Sequence, residues 1–200
     1  MSTPTRRLFV ALMLGEELGL PLVREVRRGL GAAPEGPVEG LTLYGAREVH
    51  VTLFFLGGVA AERVPEIEGR LEAELAGARM PALELREAGA FPSRGRERIL
   101  WVGLREPAVG ALVDLQARVG TACTALGFAA DERPWTPHVT VGRVRGARGR
   151  GPRGEGVRVP SSFYDLDLRL EWKPPRASLV ESLAGAAGER YREIRGFPLA

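Results

Sequence analysis

The chain holds two histidines, and both stand in the same setting. His50-Val51-Thr52-Leu53 and His138-Val139-Thr140-Val141 each place an imidazole two residues ahead of a threonine, with aliphatic residues interleaved. Threonine occurs 8 times in 200 residues. A threonine two places after both histidines is therefore roughly a one-in-600 coincidence, the false-positive rate against which such a motif is weighed. Residues i and i+2 of a strand share a face. Each run thus offers an imidazole and a hydroxyl on one side and packs Val51 and Leu53, or Val139 and Val141, on the other. A single strand histidine reads as a core residue with a hydrogen-bond partner. The repetition reverses that reading and requires a fold with two equivalent strands.

Two imidazoles facing each other across a cleft suit acid–base catalysis on a phosphodiester. Histidine titrates near ~6.5, so one ring can be neutral while the other is protonated. The neutral ring takes a proton from the attacking water, and the charged ring gives one to the departing oxygen. Threonine hydroxyls can hydrogen-bond the non-bridging oxygens where charge builds up. Nothing in this chemistry calls for a cofactor or metal. Two histidines without a Cys, Asp or Glu at ligand spacing make a poor zinc site, and no phosphate-cradling glycine loop is present.

Around these runs the pattern alternates between strands and amphipathic helices. Residues 7–14, 41–44, 49–56, 83–91, 99–104 and 138–144 read as strands. So do 163–170, 177–183 and 191–194, and Gly57-Gly58 closes the strand of the first motif. Leu18, Leu22 and Val26 mark one helix face; Val64, Ile67, Leu71 and Leu75 mark a second. Val109, Leu112, Val119, Cys123 and Leu126 mark a third, stopped by Gly127. Two halves emerge, each with helices, strands and one histidine run (50–53 and 138–141). No composition break separates them, so residues 1–200 are expected to form one bilobal domain.

Composition narrows the setting. Hydrophobic residues make up 44% and charged residues 26%, ordinary for a soluble globular chain. Cys123 is the one cysteine, which excludes an internal disulfide and makes a reducing cytoplasm the default; inside a helical pattern it reads as a buried structural thiol. Arg6-Arg7 ahead of the apolar run 8–14 resembles an export signal, but the run ends at Gly15-Glu16-Glu17 and reads better as a buried strand. No stretch approaches the ~18 apolar residues of a membrane span. The net charge is +3, yet Arg143, Arg145, Arg148, Arg150, Arg153 and Arg158 crowd one glycine-rich segment opposed by Glu155 alone. That segment is expected to steer a polyanion toward the second histidine strand, with a solvated flexible loop as the alternative.

On these residues the chain resembles the RNA 2′,3′-cyclic phosphodiesterases, also called 2′-5′ RNA ligases, of the two-histidine (2H) phosphoesterase superfamily. Arg7-Leu8-Phe9-Val10-Ala11-Leu12 is similar to the family's opening strand, and His50-Val51-Thr52-Leu53-Phe54-Phe55-Leu56-Gly57 to its first motif. Gly89-Ala90-Phe91-Pro92 and Leu100-Trp101-Val102-Gly103 resemble its middle. Arg133-Pro134-Trp135-Thr136-Pro137-His138-Val139-Thr140-Val141-Gly142-Arg143 resembles its second motif, and Glu181-Ser182, Tyr191 and Phe197-Pro198-Leu199 its C-terminal hairpin.

The resemblance implies an α+β, bilobal, pseudo-twofold fold with two antiparallel sheets around a central cleft and helices outside. It implies hydrolysis of RNA or oligonucleotide 2′,3′-cyclic phosphate ends to 2′-phosphates, with reverse 2′-5′ ligation as a second use of the same residues. His50 would be the proton donor, His138 the proton acceptor, and Thr52 and Thr140 their catalytic partners. Arg143, Phe55, Trp135 and Arg133 would contact substrate; no cofactor, metal or membrane is implied, and the protein is expected to be a cytoplasmic monomer. A non-catalytic RNA-end or nucleotide-binding module is the competing reading. Three of the contacts stay open at this level. Arg143 and Phe55 each lie five residues beyond a histidine, an odd spacing that turns a regular strand residue to the far face. For Phe55 core packing therefore competes with a place beside the base. Arg143 needs its strand to bend or end there, and otherwise reads as a surface charge. Trp135 reads equally as a base-stacking ring or a cap on the lobe. The usual aromatic-rich approach to the first motif is poorly matched between Gly31 and Gly45, which leaves contacts there unassigned.

Overall fold

Alternation along the first strand sets the layering. In β1 (Thr5–Met13) Leu8, Val10 and Leu12 enter the main core, while Phe9, Ala11 and Met13 lie on the opposite face with Val180 and Tyr191. Burying an aliphatic side chain of this size contributes about 1.5–3 kcal/mol, so the register of a strand with one such face is strongly fixed. The computed structural model describes residues 4–108, 110–145, 158–183 and 190–200. The Arg/Gly-rich run 146–156 lies outside the described residues.

The strands are β1, β2 (Leu41–Leu43), β3 (His50–Ala60), β4 (Leu83–Phe91), β5 (Ile99–Arg105), β6 (His138–Val144), β7 (Leu170–Trp172), β8 (Arg176–Ser182) and β9 (Tyr191–Pro198). They join in one antiparallel order, β7-β4-β5-β6-β3-β1-β8-β9, with β2 added alongside β6. Five strands, β2 included, lie on the β6 side of the β3/β6 junction and four on the β3 side. That junction consists of one residue pair, Val51 with Val139. A sheet joined so narrowly divides into two halves at the two histidine strands, which gives the bilobal α+β architecture.

The helices α1 (Gly15–Gly29), α2 (Val64–Leu75) and α3 (Ala111–Ala125) bury most of the stripes their spacing predicts; Leu18 and Leu126 are only half-buried, and Val109 lies outside the described residues. Leu22 and Val26 are buried on α1, and Val64, Ile67, Leu71 and Leu75 on α2. On α3 the buried set is Leu112, Leu115, Val119, Ala122 and Cys123. Burial pushes the Cys123 thiol up to about 12, so it stays protonated and unreactive. Among the described residues no helix is long and apolar enough to cross a membrane.

Two strand readings need correction. Residues 163–170 do not form one strand: Ser161–Tyr164 make a helical turn, α4, and pairing begins only at Leu170. Leu166 and Leu168 still alternate into the core, so burial rather than a ladder imposed the period that resembles a strand. The first histidine strand also does not close at Gly57-Gly58; β3 continues to Ala60 because β1 extends back to Thr5 and pairs with it.

Candidate active site

The Val51–Val139 pair is the local axis of the site. Both valines are fully buried, so the residues flanking them, His50, Thr52, His138 and Thr140, lie on the other face of the two antiparallel strands. The sequence repeat thereby becomes a spatial one.

Each imidazole is held the same way. His50 Nδ1 lies 2.7 Å from the carbonyl oxygen of Glu48, and His138 Nδ1 lies 2.7 Å from that of Thr136. A carbonyl only accepts, so each Nδ1 carries the hydrogen and each Nε2 is left for chemistry. Aromatic rings brace both. Phe9 lies against His50 with centroids 4.9 Å apart, and Tyr191 meets it edge-on at 5.0 Å. Phe91 meets His138 edge-on at 5.1 Å, with Trp101 at 6.5 Å. The indole of Trp101 lies over Gly89, where an added Cβ would come within 2.2 Å of Cζ2; only glycine leaves that room.

The environments of the two rings differ. His50 is 9% exposed, and its pKa is lowered, first by desolvation. Its bond to the Glu48 carbonyl acts against this, and the nearby His138 lowers it further. In the free protein His50 is thus biased toward the neutral form.

The odd spacing to Phe55 and Arg143 is resolved by two bulges. On β3, Ala11 pairs with Thr52 and Val10 with Phe54, leaving Leu53 without a partner on β1. On β6, Trp101 pairs with Thr140 and Leu100 with Gly142, leaving Val141 without a partner on β5. An extra residue shifts the alternation by one. Position five after each histidine therefore returns to the histidine face. Phe55 pairs with Phe9, their rings 6.3 Å apart, and is 67% exposed; this is not a core side chain. Arg143 is exposed, and its Nε donates to the Tyr44 hydroxyl at 2.7 Å.

The other two sequence candidates are used differently. Trp135 is half-buried against the core, and its Nε1–H donates to the Thr52 carbonyl at 3.1 Å. It straps the loop before one histidine strand to the backbone of the other. Arg133 sits on the exposed loop ahead of β6, bound bidentate by Asp131. No hydrogen bond among the described residues ties it to the histidines. Sequence reasoning missed Phe9, Tyr44, Glu48 and Tyr191 as parts of the site. For Phe9 and Tyr191 the signal lay in their strand alternation; Tyr44 and Glu48 had none.

Comparison with known proteins agrees with this fold. The model of the 2′-5′ RNA ligase superfamily matches residues 17–181. A Methanothermobacter thermautotrophicus protein named RNA 2′,3′-cyclic phosphodiesterase is 35% identical over 151 residues, 76% of this chain and 78% of that one. One of the same name from Archaeoglobus fulgidus is 30% identical over 197 residues, covering 96% and 99%. Among solved structures, Escherichia coli LigT complexed with 3′-AMP superposes with a TM-score of 0.69 at 25% identity, over 98% of this chain and 99% of that one. A Thermus thermophilus protein shares the fold, with a TM-score of 0.71 at 24% identity over 96% and 97%.

Proposed function

The chain belongs to the 2′-5′ RNA ligase superfamily, and on that footing we propose that it hydrolyses 2′,3′-cyclic phosphate ends of RNA to 2′-phosphates. The observation that carries this reading is the twofold-related pair of Nδ1-anchored histidines, each with a threonine two residues on. Relatives that match most of the chain bear the name of this activity.

In the proposed cycle His138 Nε2 accepts a proton from water as the water oxygen bonds to phosphorus. The P–O3′ bond breaks, and O3′ takes its proton from His50 Nε2. The products are a 2′-phosphate and a 3′-hydroxyl, and proton exchange with solvent resets both rings. Each transfer contributes about 10²–10⁴-fold. Thr52 and Thr140 hydrogen-bond the non-bridging oxygens, Arg143 clamps the phosphate, and Phe55 offers its exposed face to a base. His50 has to be charged to serve as donor, although burial favours its neutral form. The phosphodiester anion supplies the missing field, since an opposite charge within ~4–6 Å raises a histidine pKa. Donor and substrate are thereby coupled: the proton arrives with the phosphate. The same reading makes the protein a cytoplasmic monomer whose partner is RNA or an oligonucleotide.

The test is single turnover of RNA ending in a 2′,3′-cyclic phosphate by the wild type, His50→Ala and His138→Ala. A 2′-phosphate product and loss of turnover in both variants is expected. Full activity in either variant overturns the mechanism, and tight RNA binding without turnover by the wild type makes the protein a binding module instead.

A further inference from the structure

We infer that Tyr44 is a positioning residue that orients Arg143 for phosphate, and that Arg190 and Glu48 brace it together with the His50 strand; this rests on the site reading above. Tyr44 stands just past β2 and is 4% exposed. Its N–H donates to the carbonyl of Val141 at 3.0 Å, the very residue that bulges out of β6. Its hydroxyl accepts from Arg143 Nε at 2.7 Å. A guanidinium gripped at Nε has its plane set while its two terminal nitrogens stay available for a bidentate contact. The bulge brings Arg143 to the histidine face, and Tyr44 fixes how its fork is turned there.

The brace continues to the donor histidine. The Arg190 guanidinium lies 4.7 Å above the Tyr44 ring, and its Nε donates to Glu48 Oε1 at 3.0 Å. Glu48 Oε2 accepts the Gly45 N–H at 2.7 Å, which closes the turn between Tyr44 and β3. The carbonyl of the same Glu48 anchors His50 Nδ1. Tyr191, next in the chain after Arg190, packs edge-on to His50. An unbroken set of contacts thus links the phosphate fork on β6 to the imidazole on β3. A Phe at position 44 would fill the same core volume and sit beneath Arg190 equally well, so only the fork-orienting role needs the hydroxyl.

The experiment uses Tyr44→Phe, Arg143→Ala and the double variant, with two readouts: inhibition by inorganic phosphate, and kcat and KM on RNA with a 2′,3′-cyclic phosphate end. Tyr44→Phe is expected to weaken phosphate inhibition about tenfold, as befits a lost bond to a charged group. KM should rise in parallel while kcat changes by less than about threefold, the pattern of lost uniform binding. In the Arg143→Ala background the same change should add nothing to either readout. Unchanged phosphate affinity in Tyr44→Phe, or equal losses in both backgrounds, overturns the positioning role while leaving the site reading intact. Wild-type phosphate affinity in Arg143→Ala overturns the site reading itself, and the inference with it.

Discussion

Phe55 and Arg143 occupy the same position twice, five residues beyond a histidine and just past a one-residue bulge. The two bulges, at Leu53 and Val141, are as much a part of the repeat as the His-x-Thr runs. Where the twofold relation ends is also informative. One half presents an aromatic ring and the other a guanidinium, so under the proposed function a substrate bound across the axis meets a base platform on one side and an anion fork on the other.

Truncating Phe55 separates packing from binding. A side chain 67% exposed contributes little to the core, so Phe55→Ala should change unfolding free energy by no more than about 0.5 kcal/mol. Loss of a stacking ring costs about 1–3 kcal/mol per base, so affinity for a nucleoside 2′-phosphate should fall roughly tenfold or more. Inorganic phosphate, which has no base, should bind as to the wild type. Denaturant unfolding and calorimetry give the two numbers; a large stability loss with unchanged nucleotide affinity would return Phe55 to the core.

The electrostatics of His50 predict a titration that moves with ligand. Its folded pKa is lowered by burial, whereas the unfolded chain titrates near ~6.5. Below that value the unfolded state binds a proton that the folded state resists. The contribution of His50 to stability is therefore complete above pH ~6.5 and is lost as the pH falls through the folded pKa. Saturating 2′-phosphate should raise the pKa of His50, and the basic limb of kcat should lie at higher pH than that of kcat/KM. NMR of the His50 Hε1 resonance, assigned with His50→Gln, checks both states. A ring that titrates at the same pH with and without ligand would break the coupling between donor and substrate.

How much of this was legible beforehand follows from the range of each interaction. The stripes on α1, α2 and α3 and the inward residues of β1 are local periodicities, and burial follows them closely. The paired histidines were legible because a short motif recurs. The bulges were not: an extra residue is defined by what the partner strand does, and nothing within 50–56 or 138–144 records that Ala11 and Val10, or Trp101 and Leu100, skip a neighbour. The odd spacing to Arg143 did require the strand to bend or end, and β6 bends, at the bulge. Residues 163–170 misled for the converse reason, since alternation reports burial and a strand needs a partner as well. The Trp135 strap was not legible locally because its hydrogen-bond acceptor, the Thr52 carbonyl, lies in the other half of the chain.

That strap is testable by removing one atom's worth of chemistry. Trp135→Phe keeps an aromatic ring but leaves the Thr52 carbonyl without its indole donor. A net loss of about 0.5–1.5 kcal/mol in unfolding free energy is expected. Because the strap crosses from the His138 loop to the His50 strand, kcat should fall along with stability. Trp135→Tyr should not restore either, as the shorter ring does not place a donor at the indole N–H position. A Trp135→Phe variant that loses nucleotide affinity with unchanged stability would instead make the ring a stacking surface.

Gly89 offers a test of the wall beside His138. Its hydrogen faces the Trp101 indole, and a methyl there would fall 2.2 Å from Cζ2, well inside contact distance. The indole cannot simply retreat, because its other neighbours are the Phe91 ring, with centroids 5.3 Å apart, and Gly103, whose added Cβ would lie 3.3 Å from Cζ3. Gly89→Ala should therefore cost about 1–3 kcal/mol through overpacking, with the displaced Trp101 pressing on the His138 ring, the proton acceptor of the proposed cycle. A fall in kcat larger than the rise in KM is the expected signature. Gly89→Ala combined with Trp101→Phe, which vacates the space the methyl needs, should recover most of the stability. Thermal unfolding of the two variants beside Trp101→Phe alone decides it: if the double variant is as unstable as the sum of the two single changes, the close approach of ring and glycine is not what fixes this wall.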